Sequence, residues 1–503
     1  MHSSTSQRRR RSAAVAALGA VGLIAGLAAG PAYAETVEDP AEAPMRVSEG
    51  LIDLTDTNTV GLPQLDSAET ITIFAPGDDD LKFNHGVVMM PFQGKLYAQW
   101  QTSEWDEDTP DTVVTYSVSD DGAAWSEPVH MTEPRDDGYT SNGGWWTDGE
   151  TLIAYLNVWP ADANPRGGYT EYMASTDGIH WSDPQRVTDG AGEPVNGIIE
   201  QDVKALSSGR IMTAFHVQPG LFVKPFYTDD PLGVTGWTQG EFENQPNNEG
   251  MSRELEPSWY EQADGSVVMI FRDQANSFYR LAAVSEDQGE TWGQSVLTNI
   301  PDSRQKQSAG NLPDGTAYLV GSPTGNNQRL PLTVLVSADG ETFDAGYTLR
   351  DAADLQPRRY TGRVDRKPSY SYPKSVLWGD YLYIGYGANK EDAQLTRVPV
   401  ADIAQRDVPG QVSSLRVDGK GRSIDVSWKA PKDSGDAAIT GYIVTAESTS
   451  GRTVTAEVGT RKTRTTLDRL HPGRYRVTVV AVNEFGEGAA SVSKWVNVSG
   501  RGR

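Results

Sequence analysis

The sequence predicts an all-β protein: a six-bladed β-propeller followed by a small β-sandwich. Three observations carry that prediction. A turn-and-strand unit recurs six times between residues 70 and 400, a second boxed turn recurs out of phase with it, and the texture of the chain changes after Val408-Pro409-Gly410.

The first repeat sets a glycine-containing turn before an apolar strand. Its members are Gln93-Gly94 before Leu96-Tyr97-Ala98, Asp148-Gly149 before Leu152-Ile153-Ala154, and Ser208-Gly209 before Ile211-Met212-Thr213. The series continues with Asp264-Gly265 before Val267-Val268-Met269, Asp314-Gly315 before Ala317-Tyr318-Leu319, and Gly379-Asp380 before Tyr381-Leu382-Tyr383. Such turns between apolar runs are hairpin signals. Four-stranded units repeating every ~55 residues describe radial sheets around an axis. Ile71 to Phe74 precede the first complete unit and Leu395 to Val398 end the last, so the first strand is expected to complete the sixth blade and close the ring. An open solenoid is the alternative. The limits are 35–68 for an N-terminal extension, 69–405 for the propeller and 408–498 for the sandwich.

The second repeat is complete at Ser285-Glu286-Asp287-Gln288-Gly289-Glu290-Thr291-Trp292 and one residue shorter at Ser119 to Trp125, Ser175 to Trp181 and Ser337 to Phe343. A degraded copy reads Thr228-Asp229-Asp230, with an insertion before Trp237. Ser and Asp side chains bond turn amides, Gly takes the positive φ, and the aromatic packs between sheets. The motif resembles the aspartate-box (BNR) repeat of sialidases, where it builds the periphery of the fold. After Val408, the alternating runs at Ile424-Val426-Trp428, Tyr442-Val444 and Tyr475-Val477-Val479-Ala481 resemble a fibronectin type III module. That resemblance implies a spacing or attachment role, to a surface or to polysaccharide.

The 503 residues contain no cysteine, which excludes disulfides, a thiolate nucleophile and thiolate metal sites. Arg8 to Arg11, an apolar stretch from Ala13 to Ala29 and Ala32-Tyr33-Ala34 form a signal-peptide pattern over residues 1–34, so a secreted protein is expected. A retained anchor is the alternative reading. No second apolar run reaches the ~18 residues of a membrane span. The formal charge is −24, yet residues 408–503 are net basic, by about +6, so the body carries about −34 without the signal arginines. Such a body is not expected to bind nucleic acid. No cofactor is expected. The acidic loop Asp106-Glu107-Asp108 with Asp111 is the one segment rich enough in oxygens to suggest a structural calcium.

In a propeller, side chains reach the axial funnel from the start of each innermost strand and from the exit of the second. The starts are Asn84-His85, Asn142 to Trp145, Glu200 to Asp202, Glu254 to Glu256, Gln305 to Ser308 and Tyr370 to Tyr372. The exits are Gln101, Asn157, His216, Arg272, Ser322 and Gly387. Trp145, Glu200 and His216 are therefore expected to bind substrate, since aromatic rings and carboxylates suit a sugar pocket.

Glu256-Pro257 followed by Arg272 looks like the fourth-blade signature of bacterial sialidases. That resemblance implies that Glu256 polarises a tyrosine nucleophile and that Arg272 holds a substrate carboxylate. It gives Arg329 as a second arginine of the triad, Tyr370 as the nucleophile with Tyr372 two residues on, and an aspartate of the 106–111 loop, Asp108, as acid/base. A guanidinium fits carboxylate geometry better than an ammonium does, and a tyrosine needs a neighbouring base to attack. The first triad arginine of sialidases is absent, and Asn84-His85-Gly86 stands there. Three readings follow. One is an exo-acting glycoside hydrolase releasing a terminal acidic sugar. The second is a uronate lyase or α-L-rhamnosidase in which His85, with Tyr372 and Arg363, moves protons. The third is a non-catalytic glycan-binding propeller.

Overall fold

The computed structural model describes residues 43–499, apart from 248–249, 361–366, 406–407, 436 and 484. The expected signal peptide and Arg363 lie outside the described residues. The only helix among them is a 3₁₀ turn, Val400–Asp402, so no helix is long and apolar enough to cross a membrane.

Six antiparallel sheets follow one another along the chain. The first is Phe83–Phe92, Lys95–Ser103, Val113–Ser119 and Val129–His130, and the second is Gly138–Thr147, Leu152–Pro160, Tyr169–Ser175 and Gln185–Arg186. In the third, Gly197–Ile199 and Lys204–Ala205 both pair with Ile211–Val217, and Phe222–Thr228 and Thr238–Gln239 complete it. The fourth runs Glu254–Glu261, Val267–Asp273, Tyr279–Ser285 and Val296–Pro301, and the fifth Ser308–Asn311, Ala317–Gly321, Leu332–Ser337 and Ala345–Arg350. In the sixth, Tyr370–Trp378, Tyr381–Ala388 and Asp392–Pro399 are joined at the outer edge by Glu69–Phe74, which comes from before the first sheet. Each glycine-containing turn of the repeat joins the first two strands of its sheet.

Middle strands such as Val267–Asp273 are apolar almost throughout because both faces are covered. Each pair of successive sheets shares one apolar cluster. Val88, Phe92 and Tyr97 of the first meet Trp145, Leu152 and Ala154 of the second. Ile153 and Tyr155 meet Ile211 and Phe215, Met212 and Ala214 meet Met269 and Phe271, Val268 and Ile270 meet Leu319 and Leu335, and Val320 and Val334 meet Ile384 and Tyr386. A sixth cluster joins Ile73, Tyr383 and Leu395 of the last sheet to Val87, Met89 and Trp100 of the first.

The boxed turns buckle these pairs together. In the second sheet's box, Ser175 Oγ accepts from Gly178 N at 2.8 Å, and Asp177 Oδ1 accepts from Ile179 N and His180 N at 2.9 and 2.8 Å. Gly178 has φ +70°, and a Cβ there would stand 2.1 Å from the Tyr97 hydroxyl of the first sheet. The degraded third copy keeps the device: the Tyr155 hydroxyl donates to Gly233 O at 2.7 Å, and Tyr260 bonds Gly340 O of the fifth box.

Part of the N-terminal extension is structural. Arg46–Val47 pairs in parallel with Thr342–Phe343, and Met45, Val60 and Leu62 are buried in the cluster between the fourth and fifth sheets. The C-terminal module is a sandwich of a three-stranded and a six-stranded sheet around Ile424, Trp428, Tyr442, Val444, Tyr475 and Val479. Leu395→Ala, at the seam between the last and first sheets, is expected to lower the unfolding free energy by about 2–5 kcal/mol. Chemical denaturation checks this, and a change under about 1 kcal/mol would contradict a shared core at that seam.

Candidate functional site

At one end of the innermost strands the ladder breaks at equivalent places. The register shifts between His85 and Val88, Asn142 and Gly144, Leu255 and Ser258, and Ser371 and Lys374. In the third sheet the break is complete, leaving Glu200 to Val203 between two short paired segments. A bulge sets two residues against one and re-aims a side chain. Pro257 and Pro373 have no N–H for the ladder, and the residue before each is turned inward. Those residues, Glu256 and Tyr372, have φ of 51° and 57°, a conformation that non-glycine residues rarely adopt.

The two bulges bring their side chains together. The Tyr372 hydroxyl donates to Glu256 Oε1 at 2.6 Å, and Arg272 Nη1 donates to Glu256 Oε2 at 2.8 Å. Burial works to raise the Glu256 pKa, but the charges of Arg272 and Lys306 and the two hydrogen bonds outweigh it and hold the carboxyl down to about 2. Burial, and then the Glu256 charge, push the Tyr372 phenol well above its ordinary value. The resting pair is therefore a neutral phenol against a carboxylate. Arg329 stands with Cζ 5.2 Å from the Tyr372 ring centroid, and the ammonium groups of Lys306 and Lys390 lie 5.5 and 5.8 Å from it.

A cavity of about 180 Å³ opens onto this pair. His85, Glu107, Asp108, Glu200, His216, Lys306, Gln101 and Asn157 line it. The His85 ring lies 4.3 Å from that of Tyr372, centroid to centroid, and among the described residues neither ring nitrogen has a hydrogen-bond partner. Burial first, then Lys390, Arg329 and Lys306, hold its pKa well below the ordinary value, so the imidazole is neutral. Glu107 Oε2 is 3.6 Å from His85 Nε2 and accepts from Lys390 Nζ at 2.9 Å. Burial would raise the Glu107 pKa, but Lys390 and Arg329 bring it below the usual range. Glu200 accepts from Lys306 Nζ at 3.0 Å and lies 3.1 Å from His216 Nε2.

The structure thus gathers Glu256, Tyr372, His85, Glu200 and His216 around one space, with Arg272 and Arg329 against the Glu256–Tyr372 pair. Two expected residues fall elsewhere. Tyr370 is fully buried between the fifth and sixth sheets, edge-on to Tyr386, and its hydroxyl donates to Asp351 O at 3.2 Å. It sits two residues before the bulge and keeps the regular strand alternation, which points it into the sheet interface. Trp145 follows the bulge at Gly144, is buried in the cluster between the first two sheets and donates to Val88 O at 3.1 Å. Asp108 lines the cavity, but Arg166 donates to both its oxygens, at 2.7 and 3.2 Å, and Tyr139 to one. The carboxylates of the acidic loop turn to separate partners, and no metal-binding group of three His, Asp or Glu occurs among the described residues.

Residues 94–384, more than half of the chain, match the model of the BNR repeat-like domain. The chain belongs to that family. Residues 409–497 match the fibronectin type III domain. Among solved structures, a NanB sialidase from Streptococcus pneumoniae superposes with TM-score 0.51 at 14% identity, covering 69% of this chain and 72% of that one. The intramolecular trans-sialidase from Ruminococcus gnavus gives 0.50 at 15% identity, over 66% of this chain and 98% of that one. These likenesses show a sialidase-like β-propeller fold. The C-terminal part resembles a fibronectin type-III domain-containing protein 3a of Gallus gallus, 31% identical over 157 residues, which are 30% of this chain and 12% of that relative's length.

Lys390 was not singled out by the sequence; Lys306 was counted within the Gln305 to Ser308 strand start and Glu107 within the acidic loop, neither with a role in binding substrate. Because Glu256 is held at about 2, its contribution to stability is complete above the ordinary carboxyl range and fades as pH falls towards the folded value. The melting temperature of the wild type is expected to fall between about pH 5 and pH 2.5 by more than that of Glu256→Gln. Parallel profiles would contradict an ionised Glu256.

Proposed function

We propose that the chain is a secreted, exo-acting glycoside hydrolase of the sialidase superfamily that releases a terminal acidic sugar from a glycan or polysaccharide. The observation that carries this reading is the Tyr372–Glu256 hydrogen bond beneath the cavity, with Arg272 donating to Glu256 and Arg329 beside the phenol ring. The site sits in the funnel of six blades closed into a ring. The apolar cluster between the last and first sheets, together with the edge pairing of Glu69–Phe74, supports that closure. Export rests on the pattern in residues 1–34.

In this mechanism Tyr372 Oη attacks the anomeric carbon while Glu256 Oε1 takes the phenol proton. The bond to the leaving oxygen breaks as the carboxyl of Asp108, in the 106–111 loop, protonates that oxygen. The same carboxylate then draws a proton from the water that displaces Tyr372 from the anomeric carbon, the departing tyrosine oxygen takes its proton back from Glu256, and the sugar leaves with retained configuration. Arg272 and Arg329 hold the substrate carboxylate and stabilise the developing phenolate. Tyr372→Phe is expected to lower kcat by at least about 1,000-fold, whereas Tyr370→Phe leaves it within about threefold. The reverse order would sink the assignment.

A second reading, a lyase or rhamnosidase centred on His85, is favoured by the buried, neutral and unpartnered imidazole facing the cavity. On that reading His85→Ala abolishes turnover and a polyuronate yields an unsaturated, ultraviolet-absorbing product. The hydrolase reading expects no such product.

A further inference from the structure

The C-terminal module carries a cationic groove whose charge opposes that of the rest of the chain. In its three-stranded sheet, Arg416, Ser427 and Arg464 stand abreast in one cross-strand row, and Asp418, Asp425 and Thr466 in the next. The acidic row is already satisfied. Lys420 Nζ binds Asp425 at 2.8 Å and lies 3.9 Å from Asp418, and Thr466 donates to Asp425 at 2.8 Å. Arg416 and Arg464 flank the small Ser427, and Arg461 and Lys462 precede Arg464 along the same groove. All four are exposed, and among the described residues none pairs with a carboxylate. The groove measures about 1,080 Å³.

We infer that this face binds an acidic polysaccharide, the polymer whose terminal sugar the funnel takes. The inference rests on the proposed acidic-glycan specificity. The argument is electrostatic. A body of about −34 repels a polyanion at every distance within a Debye length, about 8 Å at physiological salt. The module, at about +6, is where the chain's net charge reverses. Two guanidiniums two strand spacings apart, about 10 Å between backbones, can each take a carboxylate of one extended chain bidentately, with the serine between them leaving room. The same attraction would draw the acidic body of a second copy, which the test separates.

Binding of the full-length protein to alginate, to polysialic acid and to neutral dextran is measured across a salt series. Arg416→Glu/Arg464→Glu is compared with Tyr372→Phe. The expected result is salt-sensitive binding to an acidic polymer and none to dextran. The double charge reversal should weaken that binding by about tenfold or more while leaving hydrolysis of a small aryl glycoside unchanged. Tyr372→Phe should keep the binding and lose the hydrolysis. Unaltered polymer binding by the charge-reversed protein overturns the inference, as does equal binding to dextran. Sedimentation showing a wild-type dimer that the charge reversal dissociates, without polymer binding, also overturns it. If no glycoside is cleaved but polymer binding is lost on charge reversal, the groove stands and the hydrolase reading falls.

Discussion

Each of the six sheets buries both faces, and each face does so against a neighbouring sheet. None is stable alone on that account, because an isolated four-stranded sheet would expose two apolar faces to water. The shared clusters make the arrangement cooperative, and the edge strand Glu69–Phe74 ties chain from before the first sheet into the last. The boxed turns add polar bonds at the periphery, where a tyrosine of one sheet reaches the turn of the next, as Tyr155 does at Gly233. They fix the angle between sheets without contributing a side chain to the axial cavity.

With the sheets packed this way, the axial end of each inner strand is the place where regularity can be given up. The bulges at Leu255/Ser258 and Ser371/Lys374 break the ladder, and the neighbouring chain takes up groups freed there, as Gln307 Nε2 donates to Glu256 O at 2.8 Å. They hold Glu256 and Tyr372 in a strained backbone conformation that the packed sheets behind them maintain. The short bond between the two side chains is thus set by the backbone of the fourth and sixth sheets, and does not wait for a ligand.

This division explains what could be read from the sequence. The six units, the boxed turns and the sandwich were legible because turn chemistry and strand alternation are local. Most of the funnel positions, from His85 to Arg272, followed from counting along the repeat. The choice between Tyr370 and Tyr372 failed to emerge because a bulge shifts the alternation by one, which turns every later side chain to the other face. The signal was present in Tyr372-Pro373, which repeats Glu256-Pro257 near the start of an inner strand, where the missing N–H favours a bulge. Trp145 was misplaced for the same reason, since Gly144 takes a φ of 95° beside the bulge in the second sheet. Lys390, and the pairing of Lys306, were not legible because the partners, Glu107 and Glu200, lie in other sheets.

The absence of arginine at position 85 has its physical reason in those lysines. Around the Tyr372 ring stand Arg272, Arg329, Lys306 and Lys390, against Glu256, Glu107 and Glu200. A further guanidinium at position 85 would add charge to a buried space that already holds Lys390, Arg329 and Lys306 nearby; burial first, and then those charges, lower the pKa of His85. Lys390, carried by the sixth sheet, supplies a positive charge beside the first. As a compact point charge it lacks the planar fork of an arginine. In the proposed hydrolase, a substrate carboxylate is held from the side of Arg272 and Arg329 and also meets the neutral imidazole of His85. That asymmetry favours a substrate that offers a carboxylate to one wall and a hydrogen-bonding or apolar face to the other.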